Sequence, residues 1–182
     1  MSGLPDCVTW VAATWMEYVD KRKPEMTIAR NKGIRVTSPK FSGDVPGKLE
    51  RFFAACPGCD QVGSPYYVDV IAFNDWVDGN DAAGGAARIK ALAAQLKAKY
   101  KRPVLLAYLN TGSSSEAQEA NIINSGLFDP ADNPLIAVYW NVYPQSFSPP
   151  DARNRLLDIV MDGPQQGKSL GQVLVEKCGP ER

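Results

Sequence analysis

RPVLLAYLNTG, residues 102–112, is the stretch whose reading decides the fold. Its middle, residues 104–109, is apolar without alternation, the pattern of a strand buried on both faces in a parallel sheet. It then runs out into the polar Asn110-Thr111-Gly112. Catalytic groups of α/β proteins collect at such strand ends. A carboxylate would suit the place, but Tyr108 stands there. Either an active site here lacks its nucleophile, or none was ever built.

Three more segments share that character: residues 34–37, 68–73 and 135–140. The four start at residues 34, 68, 104 and 135, the rhythm of strands joined by crossover helices. Between them, residues 88–100 carry Ile89, Leu92, Ala93 and Leu96 as one apolar stripe at helical spacing. Ser113-Ser-Ser-Glu116 has capping-box spacing ahead of a helix over 117–124, with Gly126 as its stop. LERFFAA (49–55) reads as a helix, and Val11, Trp15 and Tyr18 line one side of a leading helix that Pro24 should limit. Further helices are expected at 153–161 and 170–176. DGNDAAGG (78–85) and DPADNP (129–134) read as loops.

The expected fold is therefore α/β, built from parallel βα units. Either it is an open sheet with helices on both faces, or a partial TIM-barrel-like half barrel of about four strands. All of 1–182 forms one domain, with a barrel-like part over 1–148 and a C-terminal helical tail over 149–182.

Composition narrows the function. Twenty basic residues balance 20 acidic ones, without long runs of either sign, so the electrostatic footprint of a nucleic-acid binder is missing. No apolar stretch approaches the ~20 residues that span a bilayer. The first residues lack the pattern of a signal peptide, which leaves the compartment unknown. There is no histidine, which excludes Ser-His-Asp and Cys-His triads and His-ligated zinc. Any catalysis must rest on carboxylates, Tyr, Lys, Cys or a carboxylate-bound metal, and no cofactor is indicated. Asp78-Gly-Asn80-Asp81 does not fit a calcium loop, and Gly84-Gly85 lacks the Lys-Ser/Thr of a phosphate loop.

The cysteines are Cys7, Cys56, Cys59 and Cys178. Cys56-Pro-Gly-Cys59 follows a helix rather than opening one, so it lacks the dipole that activates a thiol. A local disulfide between Cys56 and Cys59, or plain loop thiols, is favoured over redox or metal chemistry.

Leu-x-x-Phe-Phe-x-x-Cys at 49–56, Val68-Asp69-Val70-Ile71-Ala72, Ser38-Pro39 and Arg102-Pro103-Val104 occur here in one order. Together they resemble the catalytic domain of family 128 glycoside hydrolases, the (β/α)8 endo-β-1,3-glucanases. The likeness runs through most of residues 3–144 and covers roughly the second half of that barrel. The resemblance implies two glutamates, ~5–5.5 Å apart in retaining enzymes. One lies in an Asn-Glu-Pro-Asp motif and the other in Thr-Glu-Phe at a strand end. Gly3-Leu4-Pro5-Asp6 and Ala107-Tyr108-Leu109 fall on those motifs. Leu4 thus replaces the acid, Tyr108 the nucleophile, and Asn74 the family's histidine on the preceding strand. Leucine neither donates a proton nor holds charge. The expectation is a degenerate, non-hydrolytic domain that binds glycan or serves as a structural subunit. The alternative is an active β-glucan hydrolase using displaced carboxylates such as Asp75 and Glu116.

Individual residues keep their alternatives. Tyr108 could pack the barrel mouth, bond a sugar, or act as substitute nucleophile. Asp75 is the weak catalytic candidate, against a plain loop aspartate. Asp69, mid-strand, reads as a structural hydrogen-bonding group. Asn74, Trp76, Tyr108, Asn110 and Trp140 are the candidate sugar-binding set, with Tyr139 and Tyr143 nearby; core lids or interface anchors are the competing role. Half a barrel would also leave sheet edges and inward side chains such as Val70, Ala72, Leu106 and Val138 uncovered, at a cost of roughly 10 kcal/mol. That predicts a protein partner, a homo-oligomer or re-closure as an open sheet.

Overall fold

A computed structural model describes residues 12–112, 116–129, 131 and 133–140, with side chains placed from residue 19 onward and excluding 111, 112, 116 and 140. Leu4, Tyr143, Cys7, Cys178 and the helices expected at 153–161 and 170–176 lie outside these residues. So do the side chains of Trp140 and Glu116. The order is α1 (Ala12–Asn31), α2 (Val45–Ala55), β1 (Ile71–Asp78), a 3-10 turn (Gly79–Asp81), α3 (Ala82–Tyr100), β2 (Val104–Gly112), α4 (Glu116–Asn124) and β3 (Leu135–Trp140). The strands form one open parallel sheet in the order β1-β2-β3. This is an α/β arrangement with interleaved helices, consistent with a partial TIM-like βα unit.

β2 and β3 begin where their apolar runs begin. β1 starts at Ile71, three residues later than its run, and continues to Asp78 because β2 extends to Gly112 and keeps pairing with it. Residues 34–37 do not form a strand. Thr37 and Phe41 make single parallel bridges to Val70 and Phe73. Between those bridges the buried Ser38 hydroxyl stands in for a ladder: Ala72 N–H donates to Ser38 Oγ at 2.8 Å, and the hydroxyl proton is shared between Pro39 O at 3.2 Å and Ala72 O at 3.3 Å. One side chain thus reaches both backbone groups that a fourth strand would have paired.

Pro24 lies inside α1 rather than ending it. It removes one backbone donor, and the helix is held across that break from both sides. Lys23 pairs with Asp20 at 2.8 Å, Arg22 with Glu25 at 2.7 Å, and Thr27 Oγ1 donates to Lys23 O at 3.0 Å. Exposed pairs contribute little each; the stronger tie is at the far end. There Arg30 forks onto both oxygens of Asp69 at 2.9 Å and also reaches Tyr67 O.

α2 starts at Asp44, whose Oδ1 accepts from Gly47 N at 3.0 Å, with Pro46 in its first turn. It buries Val45, Leu49 and Phe52 on one face, and Phe52 meets Phe41 edge-on. At its end a disulfide joins Cys56 to Cys59, both fully buried. Below β2 the buried Arg102 lies 4.4 Å from the Tyr67 ring and 5.2 Å from that of Phe53, and donates to Asp60 O at 2.9 Å. The turn closed by the disulfide is thereby pinned to the sheet.

α3 begins six residues before the expected 88, so the stretch 78–85 is the last residue of β1, a 3-10 turn and a first helical turn rather than a loop. Its small residues allow close contact: a Cβ on Gly85 would fall 2.9 Å from Val77 Cγ1. Ile89, Ala93 and Leu96 continue that face into the core with Phe73, Val104, Leu106 and Leu109. α4 ends at Asn124 and Gly126 follows with φ +85°. Of the inward side chains expected to face water, Val70, Ala72 and Leu106 are buried, and Val138 is half-buried against the core. Two large side chains of β3, Ile136 and Tyr139, are exposed, at 54% and 62%.

Candidate functional site

The site follows from strand alternation. Asp75 and Val77 of β1 face α3, since Asp75 Oδ2 meets Arg88 Nη1 at 2.6 Å and Val77 abuts Gly85. Successive side chains point to opposite faces, so Asn74 and Trp76 project from the other side. Their register partners on β2 are Tyr108 and Asn110. Four of the five residues expected to bind sugar therefore share one face at the carboxyl ends of two adjacent strands. Trp140, the fifth, pairs with Leu109 in register. Tyr139, beside it, lies between the partners of the buried Leu106 and Leu109 and projects from the open face.

Exposure differs across this face. Trp76 is 47% exposed and Asn110 is exposed, while Asn74 and Tyr108 are intermediate. Asn74 donates its backbone N–H to Phe41 O at 2.7 Å. Its side-chain Oδ1 is buried and accepts no hydrogen bond from the described residues. Lys40, exposed, places Nζ 5.6 Å from the centre of the Tyr108 ring, within cation–π range. Lysine at position 40 gave no sequence signal, because its contact depends on a bridge made one residue later, at Phe41.

Asp75 is engaged twice. Its Oδ2 takes Arg88 and its Oδ1 takes Trp76 N–H at 2.7 Å, while Arg88 Nη2 also donates to Trp76 O at 2.6 Å. The carboxylate clamps the end of β1 to α3, on the side of the strand away from Asn74 and Tyr108. Asp78, the other carboxylate of β1, caps the 3-10 turn by accepting from Asn80 N at 2.8 Å. β2 and β3 contain no acidic residue.

Asp69 lies just before β1 and has a structural set of partners. Besides Arg30, its Oδ2 accepts from Val36 N at 2.7 Å. Burial by itself would raise its pKa, but the Arg30 hydrogen bonds, the Val36 amide and the Arg30 and Arg35 charges prevail and hold it below the ordinary carboxylate value. Among the described residues no three Cys, Asp or Glu side chains gather as a metal site, and no helix is long and apolar enough to cross a membrane.

No family model matches the chain, and no curated protein does. Among solved structures it is similar to a curdlan-specific exo-β-1,3-glucanase of glycoside hydrolase family 128, subgroup III, from Blastomyces gilchristii, crystallised with glucose. The two superpose with a TM-score of 0.47 at 18% identity, over 90% of this chain and 60% of that enzyme. The chain thus spans less than two thirds of the length of the glucanase it matches.

Proposed function

We propose that this is a non-hydrolytic, glycosidase-like domain that binds glycan on the open face of its sheet. One observation carries the reading. The strand-end face presents Asn74, Trp76, Tyr108 and Asn110 together, and both carboxylates of β1 already have partners, Asp75 with Arg88 and Asp78 with Asn80. Sugar rings stack their C–H faces on aromatic planes and bond their hydroxyls to amides. Cleavage of a glycosidic bond needs a positioned carboxylate pair; among the described residues the Asn74–Tyr108 part of this face supplies aromatic and amide groups, and its one carboxylate, Asp78, is bonded into the 3-10 turn. The sequence resemblance adds that Leu4 and Tyr108 occupy the acid and nucleophile positions, which is the degenerate pattern a binding domain would carry.

Titration of β-glucan oligosaccharides against tryptophan fluorescence tests binding, and a reducing-sugar assay on laminarin tests hydrolysis. Saturable quenching without turnover supports the proposal. Turnover that disappears in Asp75→Asn refutes it in favour of displaced carboxylates.

A structural or assembly role has its own support in Ile136 and Tyr139, exposed on β3 at one edge of the described sheet. A protein partner or second copy would cover them, and light scattering of the purified chain separates that use from a monomeric binder.

A further inference from the structure

We infer that the open face selects acidic sugars, with Lys40 reading the carboxylate of a uronic-acid residue; the inference rests on the glycan-binding reading above. Three features of one neighbourhood each ask for a different part of the same ligand. Trp76, half exposed beside Asn74 in the strand, offers a plane for the C–H face of a sugar ring. Asn74, half-buried and paired in register with Tyr108, brings an amide to the same face for a sugar hydroxyl. Lys40 adds the third demand, for negative charge. Its ammonium lies over the Tyr108 ring, and Tyr108 is the register partner of Asn74.

Lys40 makes no ion pair with a carboxylate among the described residues. Asp75 is turned to the opposite face and neutralised by Arg88. Asp78 alternates onto the open side, but it lies four residues beyond Asn74, about 13 Å along the strand, and is bonded into the 3-10 turn. The charge at the Asn74–Tyr108 pair is therefore positive. A neutral glucan offers that ammonium only hydroxyl acceptors, whereas a carboxylate adds the attraction of opposite charge to the hydrogen bonds. A single cation also matches one carboxylate per sugar. Densely sulfated chains call for an array of cations, and β2 and β3 contribute no basic residue to such an array.

The test is calorimetric titration at low salt with two size-matched tetrasaccharides, one built only of glucose and one in which a single residue is glucuronate. The uronate ligand should bind about fivefold tighter, and the advantage should fade as salt is raised. Lys40→Met should erase it, read as the ratio of the two affinities falling to about one, and Lys40→Arg should keep it. Lys40 is exposed and outside the core, and matching circular dichroism spectra establish that the variants fold. Equal affinity of the wild-type chain for both ligands overturns the selection and leaves glycan binding standing. Failure of both to bind overturns glycan binding itself and the selection with it. Tighter binding of a sulfated tetrasaccharide than of the uronate overturns the choice of carboxylate.

Discussion

Alanine at Gly84 and at Gly85, introduced separately, should shift stability in opposite directions, although the glycines are neighbours in the same helical turn. Each replacement restricts the unfolded chain and favours the helix by about 0.5–1 kcal/mol. The surroundings then differ. The three atoms nearest a Cβ on Gly84 would all belong to the carboxylate of Asp81, with Oδ1 at 2.5 Å. Asp81 is exposed and makes no side-chain cap bond, so it can rotate away at little cost. A Cβ on Gly85 would instead meet three atoms of Val77, at 2.9, 3.1 and 3.3 Å. Val77 is buried at 1% exposure and has no room to retreat. Such overpacking costs about 1–3 kcal/mol, so Gly85→Ala should come out destabilised by about 1 kcal/mol and Gly84→Ala stabilised by up to about 1 kcal/mol. In thermal melts each kcal/mol corresponds to about 2–4 °C for a chain of this size, and urea unfolding gives the same difference directly. If Gly85→Ala is as stable as Gly84→Ala, α3 does not press on β1 as described. The clamp from Arg88 to Asp75, which shares that contact, would then fall with it.

Asp69→Asn should cost about 2 kcal/mol at neutral pH, since it leaves Arg30 without its charged partner. Asp69 is held below its unfolded value near ~3.9, so its stabilisation is complete above that pH and is lost as pH falls through the folded value. Urea unfolding at neutral and acidic pH should accordingly show a steeper acid loss in the wild type than in Asp69→Asn. Reducing the Cys56–Cys59 disulfide, or replacing both residues by Ser, should lower stability by about 2 kcal/mol for so short a loop, read as a lower melting temperature; an unchanged melt would refute the staple. Trp76→Ala should abolish glycan-dependent fluorescence change and weaken binding at least about tenfold while altering stability by less than about 1 kcal/mol, because the indole is half exposed. Asp75→Asn, by contrast, should loosen the end of β1 and leave oligosaccharide affinity within about twofold, which calorimetry can separate from a catalytic or ligand-binding role.

β2 and β3 were legible in the sequence because unbroken apolar runs bounded by polar turns have few other homes. Residues 34–37 look the same locally, yet Ile34 ends up 56% exposed. What decided the matter was the Ser38 hydroxyl reaching both backbone groups of Ala72, and no local pattern announces that. The stretch 78–85 misled in the opposite direction. Its glycines signal a turn by propensity, but here they serve contact: Gly85 with Val77, and Gly79 with Gln118, whose Cβ lies 2.4 Å from where a glycine Cβ would be. Such packing depends on α4, well downstream in the chain. Pro24 likewise signals an end, and the Arg30–Asp69 fork across 39 residues keeps the helix going past it. In the site, strand ends nominated the right neighbourhood, but the engagement of Asp75 and the arrival of Lys40 arise from contacts that only folding creates.

That Asn74 and Tyr108 meet at all depends on an irregularity. From Ile71 to Phe73 the ladder advances one for one against Val104 to Leu106, and then skips, so that Asn74 pairs with Tyr108 rather than Ala107. The partner ladder on β3 is irregular over the same part of β2, between Leu106 and Leu109. An extra residue in one strand re-aims the side chains that follow it. Without the skip, Asn74 and Trp76 would be matched by Ala107 and Leu109, and the open face would show a methyl and an isobutyl group where it now shows a phenol and an amide. Leu109 would also leave the core, where it is fully buried, at a cost of about 1.5–3 kcal/mol. The same burial that holds Leu109 in the core therefore holds Tyr108 and Asn110 out on the ligand face. Core packing of one leucine and presentation of the polar pair are two consequences of a single residue of slack at Ala107.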